Sequence, residues 1–310
     1  MTGRDISGIV PPMITPFDAE GDFDERLHRA EVRHMLASNV HGVAVCGSTG
    51  EGHAVTTDET RRITASTTEE VKRQIPVITG IICNSTQAAI ERGRAVNDLG
   101  VAALQVTPVH YLFRPDDDAM SRHFDQIAQA TGLPVIIYNV VPWSYLSPKS
   151  LARILREVDG VIGVKQSASD LKALADLLVL ADSPDLLRKG VRILSAVDAF
   201  LYPSFSLGAH GAVAAILTAV PECCVELWDA VQEEDHHRAK RLHENLLGLW
   251  NAIDHPNLPA NVKTALRLQG REAGFPRAPM PRSSPEQEAE IRQALGGGRE
   301  PGGHVVGELR

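Results

Sequence analysis

Cysteine is scarce in this chain. The four residues, Cys46, Cys83, Cys223 and Cys224, stand either inside apolar runs or side by side, so they form neither a disulfide framework nor a CxxC metal pattern and are expected to be reduced core thiols. No apolar run approaches the length of a membrane span, and the opening "MTGRDISG" lacks the basic-then-apolar form of a secretory leader, so a cytoplasmic location without a membrane partner is expected. Positive charge is in deficit: 31 Lys and Arg against 39 Asp and Glu give a formal net charge of −8, which argues against nucleic acid as a partner. No GxGxxG follows the first apolar run, which weakens the case for a doubly wound dinucleotide fold. The stretch "EEDHHRAKRLHENL" puts His236 or His237 and His243 on one helix, but no ligand set converges at i, i+4 spacing. It is taken as a polar helix face, and neither a metal nor a cofactor is expected.

What the chain does have is repetition. Eight short apolar runs end in small or polar residues: "GIVPPMIT" from Gly8, "GVAVCGST" from Gly42, "PVITGII" from Pro76, "AALQVTP" from Ala102, "PVIIYNV" from Pro134, "GVIGVKQS" from Gly160, "VRILSAV" from Val191 and "GAVAAI" from Gly211. Helically patterned segments lie between them, including "DERLHRAEVRHMLASN", "TDETRRITASTTEEVKRQ" and "STQAAIERGRAVNDLG". The last two open on a Thr or Ser suited to an N-cap, and the last closes on Gly100. Eightfold strand–helix alternation predicts an α/β fold, a (β/α)8 TIM barrel with additional C-terminal helices. Residues 1–220 are assigned to the barrel and 221–295 to its last helix and a C-terminal helical extension of the same unit. The Gly-rich 296–310 is expected to be a disordered tail.

One residue fits its run badly. Lys165 ends the apolar "GVIGVKQ", and an ammonium buried on such a strand needs a partner or must give up its charge. Strand alternation predicts that Lys165, Gly163 and Val161 point into the barrel while Val164 and Ile162 face the helices. Lys165 is then at the C-terminal mouth, where barrel enzymes carry their chemistry. By the same parity Tyr138 points inward with Ile136, and Thr49 lies in the Gly-rich turn after the second strand. A desolvated lysine loses its proton more readily than a solvated one, and its amine can attack a carbonyl to form an imine. A tyrosine backed by a threonine hydroxyl could shuttle the protons, and the turn "CGSTGEG" offers Ser48 and Thr49 hydroxyls plus backbone N–H groups to a carboxylate.

The same segments carry a resemblance. "GSTGE" from Gly47, "YNVVP" from Tyr138 and "GVKQSASD" from Gly163, with "ITPF" before "GDFD" and "GAHGAVAAI" from Gly208 in the same order, resemble the dihydrodipicolinate synthase and N-acetylneuraminate lyase family from about Gly8 to Gly270. The resemblance implies a lyase or aldolase that holds pyruvate or another 2-oxo acid as a Schiff base on Lys165, with Tyr138 and Thr49 in proton transfer. It also implies that Gly47, Ser48 and Thr49 hold the carboxylate and that the Val213 carbonyl lines the pocket. The implied assembly is a homotetramer or dimer in which a neighbour's tyrosine completes a relay. Two departures stand out. Synthases of the family carry an arginine shortly after the YNVP tyrosine, whereas here Trp143, Ser144 and Tyr145 occupy that neighbourhood, and the relay tyrosine's position falls on His110, next to Tyr111. Trp143, Ser144, His110 and Tyr111 are therefore candidate contacts to the second substrate, an aldehyde other than aspartate semialdehyde. Dihydrodipicolinate synthase itself, with Arg114 or another residue standing in for the missing arginine, is the alternative, and a non-catalytic 2-oxo-acid-binding barrel the third.

Overall fold

The computed structural model describes residues 6–168 and 170–296. The expected tail from 297 onward, the first five residues and Ser169 of the lysine motif lie outside the described residues; Gly296 still belongs to the last helix. Eight strands form: β1 Gly8–Ile9, β2 Val43–Val45, β3 Val77–Ile81, β4 Ala103–Val106, β5 Val135–Asn139, β6 Val161–Gln166, β7 Arg192–Ser195 and β8 Gly211–Ala212. All pairings are parallel, in the order β1-β8-β7-β6-β5-β4-β3-β2. The sheet closes on itself where Pro12 bridges Ala44 and the Met13 amide donates to the Ala44 carbonyl at 2.8 Å. Closure leaves no sheet edge and excludes an open doubly wound sheet.

Around the barrel lie α1 Glu25–Ala37, α2 Thr57–Val71, α3 Thr86–Arg94, α4 Asp117–Thr131, α5 Pro148–Glu157, α6 Leu171–Ala181, α7 Pro184–Lys189, α8 Leu201–Ser206, α9 Ile216–Ala219 and α10 Pro221–Gln232. Then follow α11 His236–Ile253, α12 Leu258–Leu268 and α13 Pro285–Gly296. Thr56 caps α2 in a reciprocal capping box with Glu59, and Ser85 caps α3. The third helix stops at Arg94, short of the Gly100 closure expected from its pattern; Gly100 instead supplies the left-handed residue of the following turn. One apolar cluster unites Ile9, Met13 and Val43 with Leu246 and Leu249 of α11, Val262 and Leu266 of α12 and Ile291 of α13, so the last helices share the barrel's core.

Side-chain direction inside the barrel follows from register. Ala44 is level with Ile78 and Ala103. Two residues on, Gln105 is level with Ile136 and Gly163, and two beyond that Lys165 is level with Leu194. Ser195 pairs with Ala212, which brings in Val213 at the next step. In a tilted barrel alternate strands fill one layer, so Ala44, Gln105, Lys165 and Val213 share a layer. Val10, Ile78, Ile136 and Leu194 form the apolar layer beneath, in one cluster with Ala44 and Val213. Parity fails at one place. Val135 pairs with Val161 but Ile136 pairs with Gly163, so Ile162 is an extra residue, a bulge. Val161 therefore joins the outer cluster under the helices and Ile162 packs against the inner one, the reverse of the expected directions, whereas Gly163 and Lys165 beyond the bulge keep theirs.

Candidate active site

Lys165 is 3% exposed, and its Nζ lies 3.8 Å from the centroid of the Tyr138 ring on the neighbouring strand. The Tyr138 hydroxyl donates to Ser48 Oγ at 3.0 Å. The hydroxyl that meets the tyrosine is thus that of Ser48, not of Thr49 as the sequence suggested; Thr49 is buried next to it in the same turn. An amine, a phenol and a hydroxyl from β6, β5 and the turn after β2 form one chain across the mouth.

That turn is held under constraint. Cys46 and Glu51, at its two ends, both adopt positive φ, at 56° and 54°, where only glycine is comfortable. A Cβ on Gly52 would lie 1.8 Å from the Cys46 carbonyl oxygen and one on Gly80 would lie 2.3 Å from it, so both positions exclude any side chain. Glu51 is fully buried and receives Lys263 Nζ of α12 at 2.6 Å and the Arg277 amide at 2.8 Å. Burial holds the Lys263 ammonium down at about 8 against the pull of Glu51. Thr15 Oγ1 adds a bond to the Gly50 carbonyl at 2.7 Å. The buried charges on both sides of the Glu51–Lys263 pair are matched, which is the condition for such a pair to be tolerated.

Beyond the turn opens a cleft of about 270 Å³ lined by Ser48, His53, Ile82, Thr107, His110, Val140, Val141, Pro142 and Trp143. Of the residues nominated for the second substrate, His110 and Trp143 line it together, tied by a bond from Trp143 Nε1 to the His110 carbonyl at 2.8 Å. Tyr111 does not line it: its side chain is exposed and its amide is held by Asn84 Oδ1 at 3.1 Å. Ser144 is fully buried and donates to the Val109 carbonyl at 2.8 Å, so its hydroxyl fixes the β5 loop against the β4 loop. The Tyr145 hydroxyl donates to the Ser167 carbonyl at 3.2 Å, and burial, with Tyr138 nearby, pushes this phenol up. Gly47 begins the turn, and Val213 lies in the layer of Lys165 with its amide on the Ser195 carbonyl at 2.8 Å. Arg114 is paired with Asp117 at 3.4 Å on the exposed loop.

Asp198 escaped the sequence reading. It follows β7, is almost fully buried and accepts from the Ile216 amide at 2.7 Å; burial raises its carboxyl to about 7, against the pull of the Lys165 charge. The signal was available, an acid three residues past the end of an apolar strand in "SAVDAF". Lys263 offered none, since its partner is 212 positions away. Among the described residues no group of His, Cys, Asp and Glu could hold a metal ion, and no helix is long and apolar enough to cross a membrane.

Known proteins show the same arrangement of sequence and fold. The Dihydrodipicolinate synthetase family matches residues 5–296. The 4-hydroxy-tetrahydrodipicolinate synthase of Methanopyrus kandleri is 32% identical over 94% of this chain and 96% of its own. Among solved structures, dihydrodipicolinate synthase from Thermotoga maritima is 26% identical with a TM-score of 0.88, covering 94% of this chain and 98% of that one. A prophage protein of the dihydrodipicolinic acid synthase family from E. coli K12, in complex with pyruvate, is 24% identical with a TM-score of 0.87 over 94% and 97% of the two chains, a likeness of fold.

Proposed function

Because the chain belongs to the dihydrodipicolinate synthetase family, and is therefore an enzyme of the lyase and aldolase type, we propose that it binds a pyruvate-type 2-oxo acid as an imine on Lys165 and makes or breaks a carbon–carbon bond beside it. The observation that carries this reading is the buried Lys165 Nζ over the Tyr138 ring, with the phenol in turn bonded to Ser48. Attack of the amine on the keto carbon expels water and leaves an iminium, an electron sink that stabilises a carbanion at the adjacent carbon. Tyr138 carries the proton to and from that carbon, with Ser48 as its relay partner. Backbone N–H groups and hydroxyls of Gly47, Ser48 and Thr49 hold the substrate carboxylate, and the Val213 carbonyl borders the pocket.

The second substrate is a neutral or aromatic aldehyde. No arginine or lysine is among the residues that line the cleft, whose walls are Ile82, Val140, Val141, Pro142 and Trp143 between two imidazoles. A carboxylate held there forfeits a charge-assisted bond of about 1.5–3 kcal/mol. The names of relatives such as the Methanopyrus kandleri protein favour the rival reading, the synthase acting on aspartate semialdehyde; it requires a residue from outside the cleft lining to hold the carboxylate, such as Arg114, which would have to leave Asp117 and turn inward. The exposed Tyr111, Leu112 and Phe113 beside Trp143 support contact with a second copy of the chain, as a dimer or tetramer. Borohydride reduction in the presence of pyruvate should add the reduced adduct to the peptide holding Lys165; a label on another lysine, or none, refutes the mechanism. Comparing kcat/KM for aspartate semialdehyde and neutral aldehydes, each with pyruvate, separates the two readings of the second substrate.

A further inference from the structure

The interior layer that holds Lys165 contains a second polar side chain that the imine mechanism has not used. Gln105, on β4, is 1% exposed, and neither its Nε2 nor its Oε1 has a hydrogen-bond partner among the described residues. Its surroundings are made small: Ala44 is in its layer, Gly80 is level with it on β3, and a Cβ placed on Gly47 would lie 3.6 Å from its Nε2. The amide therefore lies under the start of the turn that carries Ser48, at the height of Lys165. The layer below is wholly apolar, and an aliphatic side chain at 105 would complete the core without an unpaired donor and acceptor.

We propose that Gln105 is a substrate-contacting residue that holds the keto oxygen of the 2-oxo acid while Lys165 attacks. This rests on the imine reading. The chemistry at that oxygen matches a group with both a free donor and a free acceptor, whereas a carboxylate would engage only the donor. As the amine lone pair forms the carbon–nitrogen bond, the carbonyl π pair moves onto oxygen, which accepts from Gln105 Nε2. A proton from the new ammonium passes to that oxygen, and the resulting carbinolamine hydroxyl donates to Oε1. The carbon–oxygen bond then breaks with a proton from Tyr138, so that water leaves and the nitrogen lone pair closes the iminium.

The test follows loss of a heavy-oxygen label from the keto position of pyruvate, which reports imine formation without a second substrate. At saturating pyruvate, Gln105→Met should slow label loss by about 10²-fold, in the range seen when one oxyanion donor is removed, while the half-saturating concentration changes by less than about 3-fold. Gln105→Asn keeps a polar amide but withdraws it by one methylene; it should be slowed similarly and guards against a folding defect in the Met variant. A merely structural amide would shift the melting temperature and leave the saturated rate intact. Label loss at the wild-type rate in either folded variant overturns the assignment of Gln105 and leaves the imine reading standing. If the wild-type protein neither loses label nor is trapped on Lys165, the imine reading falls and takes this one with it.

Discussion

The mouth of the barrel has two sides built to different standards. On one side, Lys165, Tyr138 and the Gly47–Glu51 turn are buried except for the half-buried Ser48 that faces the cleft, with the turn pinned from below by Lys263 and Arg277. On the other, the loops after β4 and β5 expose Tyr111, Leu112, Phe113 and Trp143, and their mutual bonds run through single contacts such as Trp143 Nε1 to the His110 carbonyl. A reaction step tolerates little displacement of its groups, so the chemistry sits where packing over-determines position. Choice of partner molecule needs only a changeable surface on the same scaffold, which loops supply.

The contrast can be broken most severely on the buried side. Tyr138→Phe keeps the ring under Lys165 and removes the proton carrier, so turnover should fall by roughly 10²–10⁴ with the melting temperature little changed. Turnover at the wild-type level would move the shuttle to one of the two imidazoles lining the cleft, His110 or His53.

Lys263→Met leaves the Glu51 carboxylate buried without its cation. Denaturant titration should show a loss of about 3–5 kcal/mol, and pairing the change with Glu51→Gln should recover part of it. A single variant as stable as the parent would mean that the turn is held by Arg277 and Thr15 alone.

Asp198 gives the buried side a pH signature. Its folded carboxyl titrates near 7 against 3.8 for the free group, so between those values the folded state holds a proton that the unfolded state has released. Stability from this group is present below about pH 4 and is lost as pH rises to about 7, at up to about 1.4 kcal/mol per pH unit. Asp198→Asn, which mimics the protonated form, should flatten that slope in melting temperature across the window. A slope equal to wild type would assign it to other groups.

On the exposed side, effects should be small and confined to the second substrate. Trp143→Ala removes one hydrogen bond and one wall of the cleft, and a loss of about 0.5–1.5 kcal/mol corresponds to a rise in KM for the aldehyde of about 2- to 10-fold, with pyruvate trapping unchanged. A drop in trapping on Lys165 would show that the two sides are coupled after all.

Much of this was legible in the chain. Eight apolar runs, the capping Ser85 and the inward lysine and tyrosine are local features, because strand alternation and helix caps are set by residues a few positions apart. Local parity also set the limit: a bulge at Ile162 inserts one residue and reverses the direction of Val161 and Ile162, and nothing in "GVIGV" announces it. Non-local closure decided the rest. Only the completed ring puts Gln105 in the layer of Lys165, brings Ser48 rather than Thr49 to the tyrosine, and joins Glu51 to a lysine 212 positions away. Sequence by itself determined which elements form and which reactive residues end them; tertiary structure decided which of those residues meet, because register and long-range pairing are fixed by the closing of the sheet as a whole and not by any one strand.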